Sequence, residues 1–363
     1  MICPKLKGWN RSREVIDDIE IYRYPLPIDA SGALGYVAEF GWCFCYTALL
    51  SARVAISGRG FDVIHACNPP ETYWLLGRLW RVFGKRFLFD HHDLSPEMYL
   101  AKFASPRSLV SNALKALERQ TFKAAQVVIT TNESHKAVAI ERGGVAPDRV
   151  YVVRSGPDLR RFQIVPPEPQ WAAGKPFLIA YLGEICPQDG VENLVDALRV
   201  MRDELGRNDF HCVLIGGGPH AAAVRDHAGR TGVAELCTFV GDVYDSSVLC
   251  RILSSAHLGV VPDPRNPYSD ISTMNKVMEY MFFGLPVTGF DLKENRVSAG
   301  EAAEYASGNS ARDLARQISN LLDDPERRRR MGEAGRRRVT EQLAWEHSVP
   351  HLMAAYNRIF DGI

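Results

Sequence analysis

Three segments carry residue types that could do chemistry. The first, Ser272–Gly284, opens with Ser272, Thr273, Asn275 and Lys276 and carries Glu279. Its spacing predicts a helix capped by Ser272 and ended by Gly284, just before a strand from Pro286. A helix N-terminus offers free N–H groups and a partial positive charge, which suits a diphosphate; Lys276 adds a full charge. Ser272, Asn275 and Glu279 fall on one helix face. Glu279 then stands one turn past the phosphate position, where a carboxylate can accept two hydrogen bonds from a ribose diol. The plain structural alternative is a capped helix with one solvated glutamate.

The second segment, Val213–Pro219, runs a strand into Gly216, Gly217 and Gly218, which lets a ligand approach the backbone closely. Gly216, Gly218 and Ala221 also satisfy a G-x-G-x-x-A dinucleotide fingerprint, with Asp242 where a ribose-binding acid would follow. Two features count against a nicotinamide cofactor. Pro219 removes an N–H from the loop, and the motif follows the second strand of its domain rather than the first. The third segment, Phe87–Glu97, ends a buried strand in His91, His92 and Asp93. The cluster suits acid–base work or a polar ligand, and adjacency in sequence argues against a metal site. Helix capping by Asp93 is the structural alternative.

These segments need a scaffold. Strand-like apolar runs occur at Ile19–Tyr24, Asp62–His65, Arg86–Asp90, Gln126–Thr130 and Val150–Arg154. They continue at Phe177–Leu182, His211–Ile215, Cys237–Val240, Leu258–Pro262, Pro286–Phe290 and Ala303–Ala306. Helical periods lie between them, as in Val191, Leu194, Val195 and Leu198. Strands alternating with helices imply parallel sheets covered on both faces. The proline-rich stretch Ile164–Gln170 reads as a linker. The fold class is therefore α/β, with two doubly wound Rossmann-like domains facing a cleft: residues 1–163, residues 164–342, and a closing helix in 343–363 that packs back on the first. Ligands of such sheets sit at the carboxyl ends of the strands.

Composition narrows the function classes. The 363 residues carry 43 basic and 43 acidic side chains, which argues against a nucleic-acid partner. Residues 1–163 hold 22 Lys and Arg against 16 Asp and Glu, a basic balance that suits peripheral contact with an anionic membrane. The most apolar stretch, Ala33–Ile56, has only 13 uncharged residues between Glu39 and Arg53, too few to span a bilayer. The eight cysteines show no C-x-x-C pair and read as reduced core residues of a cytoplasmic protein. Arg327–Arg330 and Arg336–Arg338 read as a solvated helix face after Pro325.

Taken together, the chain resembles the glycosyltransferase family 4 group of retaining GT-B enzymes, nearest to bacterial enzymes of exopolysaccharide and O-antigen assembly. The resemblance runs through Asp62–Glu71, His91–Glu97, Val152–Phe162, Tyr181–Val191, Leu214–Pro219, Thr238–Gly241, Ser272–Gly284 and Leu343–Ser348. It implies a nucleotide sugar as donor and a saccharide or lipid-linked saccharide as acceptor, with no cofactor and no metal. Glu279 resembles the second glutamate of the family's E-x7-E motif, which holds the donor ribose. His92 resembles the histidine that lines the transferred sugar and its phosphate, so His92 and Glu279 are the implied catalytic pair. Gly241 and Val243 fall where the family's backbone contacts the nucleobase.

Two departures accompany the resemblance. Ile271 occupies the position of the first glutamate of E-x7-E, leaving Asp270 or Ser272 to act in part. The loop at Gly183 has Glu184, Gln188 and Asp189 where relatives carry a phosphate-gripping Arg and Lys. A sugar-nucleotide epimerase on the same fold and an inactive GT-B scaffold are the alternative readings. Finally, Met1–Leu6 resembles the end of a family member's second strand, which leads to the expectation of a first domain lacking its first strand and helix, roughly 35–45 residues.

Overall fold

The computed structural model describes residues 1–6, 8–27, 32–103 and 108–361. The chain opens with β1 (Ile2–Pro4), β2 (Arg13–Ile16) and β3 (Ile19–Tyr24), with β3 central, parallel to β1 and antiparallel to β2. The β2–β3 hairpin turns on Asp17 and Asp18, both left-handed at φ 48° and 63°. Then follow α1 (Gly32–Ile56), β4 (Val63–Cys67), α2 (Trp74–Arg81), β5 (Arg86–His91), α3 (Ser95–Lys102) and α4 (Ser108–Ala124). β6 (Val127–Thr130), α5 (Glu133–Glu141) and β7 (Val150–Val152) complete a parallel sheet of order β4-β5-β6-β7. The first domain thus has two sheets where one was expected: among the described residues β1 pairs only with β3, and β4 only with β5.

The second domain contains β8 (Phe177–Leu182), α6 (Val191–Asp203), β9 (Phe210–Ile215), α7 (Ala221–Arg230), β10 (Cys237–Gly241) and α8 (Ser246–Ser255). It continues with β11 (Leu258–Val261), α9 (Asn275–Phe282), β12 (Val287–Gly289), α10 (Lys293–Ala299) and β13 (Ala303–Tyr305), then α11 (Ala311–Asp323) and α12 (Pro325–Arg338). Its six parallel strands run β10-β9-β8-β11-β12-β13, the doubly wound order with a switch point between β8 and β11. Leu194, Leu198, Val224, Leu314 and Ile318 cover one face, and Ile252, Leu253, Val277 and Met281 the other. Burial on both faces is why these strands read as unbroken apolar runs.

The arginines of α12 face solvent, with Arg329, Arg330, Arg336 and Arg337 exposed, but three of the seven also donate to backbone carbonyls. Arg328 donates to the Leu321 carbonyl at 2.6 Å, Arg336 to those of Phe282 and Phe283 at 3.2 and 3.1 Å, and Arg338 to Ser298 at 2.9 Å. They reach carbonyls at the C-terminal ends of α11, α9 and α10, where intrahelical partners run out. α13 (Trp345–Asp361) returns to the first domain, where Ala355 and Ile359 pack with Leu88, Val127 and Ile129. Two cysteines depart from the expected core placement, since Cys45 and Cys67 are exposed. Among the described residues no helix is long and apolar enough to cross a membrane.

Candidate active site

Strand alternation divides the paired histidines at the end of β5. His91 turns inward with no exposed surface, and its Nε2 lies 3.2 Å from Glu118 Oε1. Glu118, equally buried, accepts from Arg142 at 2.7 and 2.8 Å. Burial alone would raise the Glu118 carboxyl, but His91 and Arg142 outweigh it and hold it below its ordinary value. His92 turns outward, with 47% of its side chain open. Asn68 fixes the turn that presents it: its Oδ1 accepts from the backbone N–H of His92 at 2.8 Å and Asp93 at 3.2 Å, while its Nδ2 donates to the Asp93 carbonyl at 2.6 Å. The His92 ring lies between Asp90 Oδ1, 2.9 Å from Nδ1, and Ser155 Oγ, 3.3 Å from Nε2. The hydrogen bond to Asp90 raises the His92 pKa, against the effect of burial.

In the second domain, Gly183, Gly216, Gly217, Gly218 and Val243 line a cavity of about 390 Å³ with Asp242 and Tyr244. The glycines are obligatory here. Gly216 has φ +130°, and a Cβ on it would lie 1.9 Å from the Gly183 carbonyl oxygen. Gly218 has φ +140°, and its Cβ would lie 2.6 Å from the Ile185 oxygen. The Gly216 N–H is bonded to Gly241 O at 2.9 Å, which ties the loop to the end of β10.

The start of α9 differs from expectation. The residue preceding the helix is Met274, without a side-chain cap. The Ser272 hydroxyl donates instead to the Tyr268 carbonyl at 2.7 Å, because Ser272 lies three residues ahead of the first helical residue. Thr273 Oγ1 accepts from Asn132 Nδ2 of the first domain at 2.9 Å, and the same amide reaches the Ile271 carbonyl at 2.9 Å. Lys276 is buried, bonded to Asp263 Oδ2 at 3.1 Å, with its ammonium 4.9 Å from the Tyr181 ring centre. A Cβ on Gly183 would lie 3.1 Å from Lys276 Cε, so this lysine sits directly behind the glycine loop. Beside it, burial raises the Asp189 carboxyl to about 6 despite Lys276.

Asn275 and Glu279 line a second cavity of about 390 Å³ with Ser155, Arg160, Arg161 and Trp345. Burial raises the Glu279 carboxyl, opposed by Lys276 and Arg161. Ser155 therefore joins the two halves: it touches His92 and borders the space that Glu279 borders.

Comparison with known proteins settles the family. The model described as "Glycosyl transferase 4-like domain" matches residues 1–156, and "Glycosyl transferases group 1" matches residues 176–324. This chain belongs to the family 4 glycosyltransferases. Among its relatives, alpha-maltose-1-phosphate synthase of Mycolicibacterium smegmatis is 25% identical over 265 residues, covering 67% of this chain and 66% of that protein. The chain thus spans about two thirds of that relative's length. Sucrose-phosphate synthase from Thermosynechococcus elongatus superposes with a TM-score of 0.77 at 20% identity, over 100% of this chain and 89% of that one. Anabaena HepE in complex with UDP-glucose superposes with a TM-score of 0.70 at 16% identity, over 95% and 86%. These neighbours share the GT-B fold.

Sequence reasoning about this transferase passed over four side chains of the site. Asp90 and Asn68 hold His92, and Ser155 and Arg161 face Glu279's cavity. Asp90 had a signal, being two residues before His92 and so on the same strand face.

Proposed function

We propose that this glycosyltransferase moves a sugar from a nucleoside diphosphate sugar to a saccharide or lipid-linked saccharide acceptor with retention of configuration. One observation carries the reading: Ser155, in contact with His92 of the first domain, also lines the cavity that Glu279 of the second domain lines. The cavity lined by Gly183, Gly216, Gly217, Gly218 and Val243, with Gly241 holding the loop behind it, takes the nucleobase side. Glu279 accepts the ribose hydroxyls. The α9 N-terminus with Asn275, Ser272, Thr273 and Lys276 holds the diphosphate. Because Lys276 is already paired with Asp263, the exposed Arg161 supplies further positive charge. His92 donates from Nε2 toward the sugar and its phosphate. The leaving diphosphate, stabilised by these groups, takes the acceptor proton, so the step needs neither an enzymic nucleophile nor a metal. The UDP-glucose held by HepE supports a nucleotide sugar as donor. The basic first domain, with Val37, Leu49 and Ile56 exposed on α1, supports a peripheral contact at the inner membrane face.

The test is a thermal-shift screen with uridine, guanosine and thymidine diphosphate sugars, followed by anomeric analysis of product. A donor at 100 times its Kd stabilises by about 2.7 kcal/mol. An altered donor sugar formed without acceptor would instead establish an epimerase. No stabilisation by any donor, with a tight protein partner recovered, would establish a scaffold.

A further inference from the structure

His92 is held by more than one neighbour. Both carboxylate oxygens of Asp90 are engaged, Oδ1 with His92 Nδ1 at 2.9 Å and Oδ2 with His65 Nε2 at 3.2 Å. His65 Nδ1 in turn lies 2.7 Å from the Tyr356 hydroxyl. His65 stands on β4, Asp90 on the neighbouring β5, and Tyr356 on α13, the helix that returns from the second domain. At the other end, His92 Nε2 meets the Ser155 hydroxyl at 3.3 Å. Five side chains from four parts of the chain thus form one line from α13 to the cleft.

The chemistry of the central group decides where the protons lie. An ionised carboxylate only accepts, so each nitrogen facing it must be an N–H. Burial would raise the Asp90 carboxyl, but the hydrogen bonds from His65 and His92 outweigh it and keep it well below the ordinary range. His92 therefore carries its proton on Nδ1. Its Nε2 is left to accept from Ser155, or, once protonated, to donate into the cleft. His65 carries Nε2–H, and its Nδ1 accepts from Tyr356. Were His92 protonated on Nε2 alone, its Nδ1 lone pair would face an anion 2.9 Å away. A neutral partner such as asparagine can orient the ring, but it supplies neither this tautomer preference nor a charge that favours imidazolium.

We propose that Asp90 is a positioning residue that sets the tautomer and charge of His92, and that His65 and Tyr356 tie that setting to α13. The proposal deepens the transferase reading, because it concerns a histidine which that reading places at the donor sugar. The ionisable groups facing His92 are Asp90 on β5, Asp93 beyond it, and His91 and His135 behind it, with His65 one step removed through Asp90. Of the two carboxylates, only Asp90 is hydrogen-bonded to the ring.

Nitrogen-15 NMR of histidine-labelled protein tests this without any ligand, with His92→Gln assigning the signal. In the wild type His92 is expected as the Nδ1–H tautomer, titrating above the ordinary value of about 6.5. In Asp90→Asn the titration falls to or below that value and the tautomer preference weakens. Tyr356→Phe perturbs the His65 ring signals and moves the His92 titration less than Asp90→Asn does. With the donor found by the thermal screen, Asp90→Asn lowers kcat about 10²-fold, leaves donor KM within about threefold, and moves the high-pH limb of the rate profile to lower pH. A wild-type His92 protonated on Nε2, or an Asp90→Asn titration identical to wild type, would overturn the proposal. The first of these needs no variant to fold. If His92→Gln turns over donor as fast as wild type while the Asp90 effect on titration persists, the catalytic reading of His92 fails and the positioning role stands.

Discussion

The two halves of the site are built from different material. In the second domain the ligand surface is backbone: Gly216 and Gly218 hold conformations closed to other residues, over strands with no exposed surface such as Leu178–Tyr181. In the first domain it is a network of ionisable side chains, with Glu118 and His91 fully buried and Asp90 between two histidines. A backbone cradle accepts a nucleotide by shape and tolerates no added atom. A charged network tunes protonation and tolerates shape changes better than a missing partner. The second half should fail by sterics and the first by titration, and each prediction below is chosen to break that contrast.

The largest expected effect is in the first domain. Glu118→Ala leaves buried His91 Nε2 without its hydrogen-bonded carboxylate and takes one of Arg142's two carboxylate partners, the other being Glu97. Breaking a buried pair costs about 3–5 kcal/mol, read by denaturant unfolding. The pH dependence has a defined sign. The folded Glu118 carboxyl lies below its unfolded value, so its stabilisation is complete above the unfolded pKa of about 4.3 and is lost as pH falls through the folded one. A cost under about 1 kcal/mol would show that the network does not hold this domain together.

Next is the steric case. Gly216→Ala forces φ +130° on a residue with a Cβ and pushes that carbon to 1.9 Å from the Gly183 oxygen. A loss of about 3 kcal/mol, shared between second-domain stability and donor binding, is expected. Nucleotide titration of the variant measures the binding share; wild-type stability together with wild-type affinity would mean that the loop relaxes freely. Glu279→Ala comes third, with the fold intact and donor affinity lower by about 1.5–3 kcal/mol, because a half-buried charged acceptor is removed. Calorimetry giving a donor Kd within twofold of wild type would remove Glu279 from the ribose site.

The same contrast explains what the sequence made legible. β8 spans the same residues as its apolar run, Phe177–Leu182, because apolar runs mark buried parallel strands; β3 also matches Ile19–Tyr24, with a mixed pattern of exposed and buried residues. β2 escaped, since Arg13–Ile16 alternates exposed and half-buried residues and its hairpin turns on Asp17 and Asp18, a weaker signal than Asn-Gly. The glycine loop was legible because residue type alone reports its conformation. The pairing of Asp90 with His92 had a local signal, but its links to His65, 25 residues earlier, and through it to Tyr356, far along the chain, had none. Ser272 misled, because a serine ahead of an apolar period reads as a cap whether or not the helix starts there. The solvated arginines of α12 were legible, but the carbonyls of other helices that Arg336 and Arg338 reach were not, since no local pattern shows them.

The smallest expected effect lies where the two materials meet. Asn132 has no exposed surface and does two jobs with one amide. Its Oδ1 caps α5 by accepting from His135 N at 2.7 Å, and its Nδ2 donates across the domains to the Ile271 carbonyl and Thr273 Oγ1. The jobs can be separated. Serine is as good an N-cap as asparagine but too short to cross, whereas alanine provides neither function. Asn132→Ser should therefore lose the bridge and keep the cap. Two neutral hydrogen bonds, partly replaced by water, place the loss at about 1 kcal/mol. It should appear as weaker donor binding and looser coupling between the two unfolding transitions, because Ile271–Thr273 leads into α9. Asn132→Ala should lose about 1 kcal/mol more, and that increment should fall on first-domain stability. If the serine variant binds donor and unfolds like wild type, the cross-domain bonds do not hold the segment before α9, and its geometry is a property of the second domain alone.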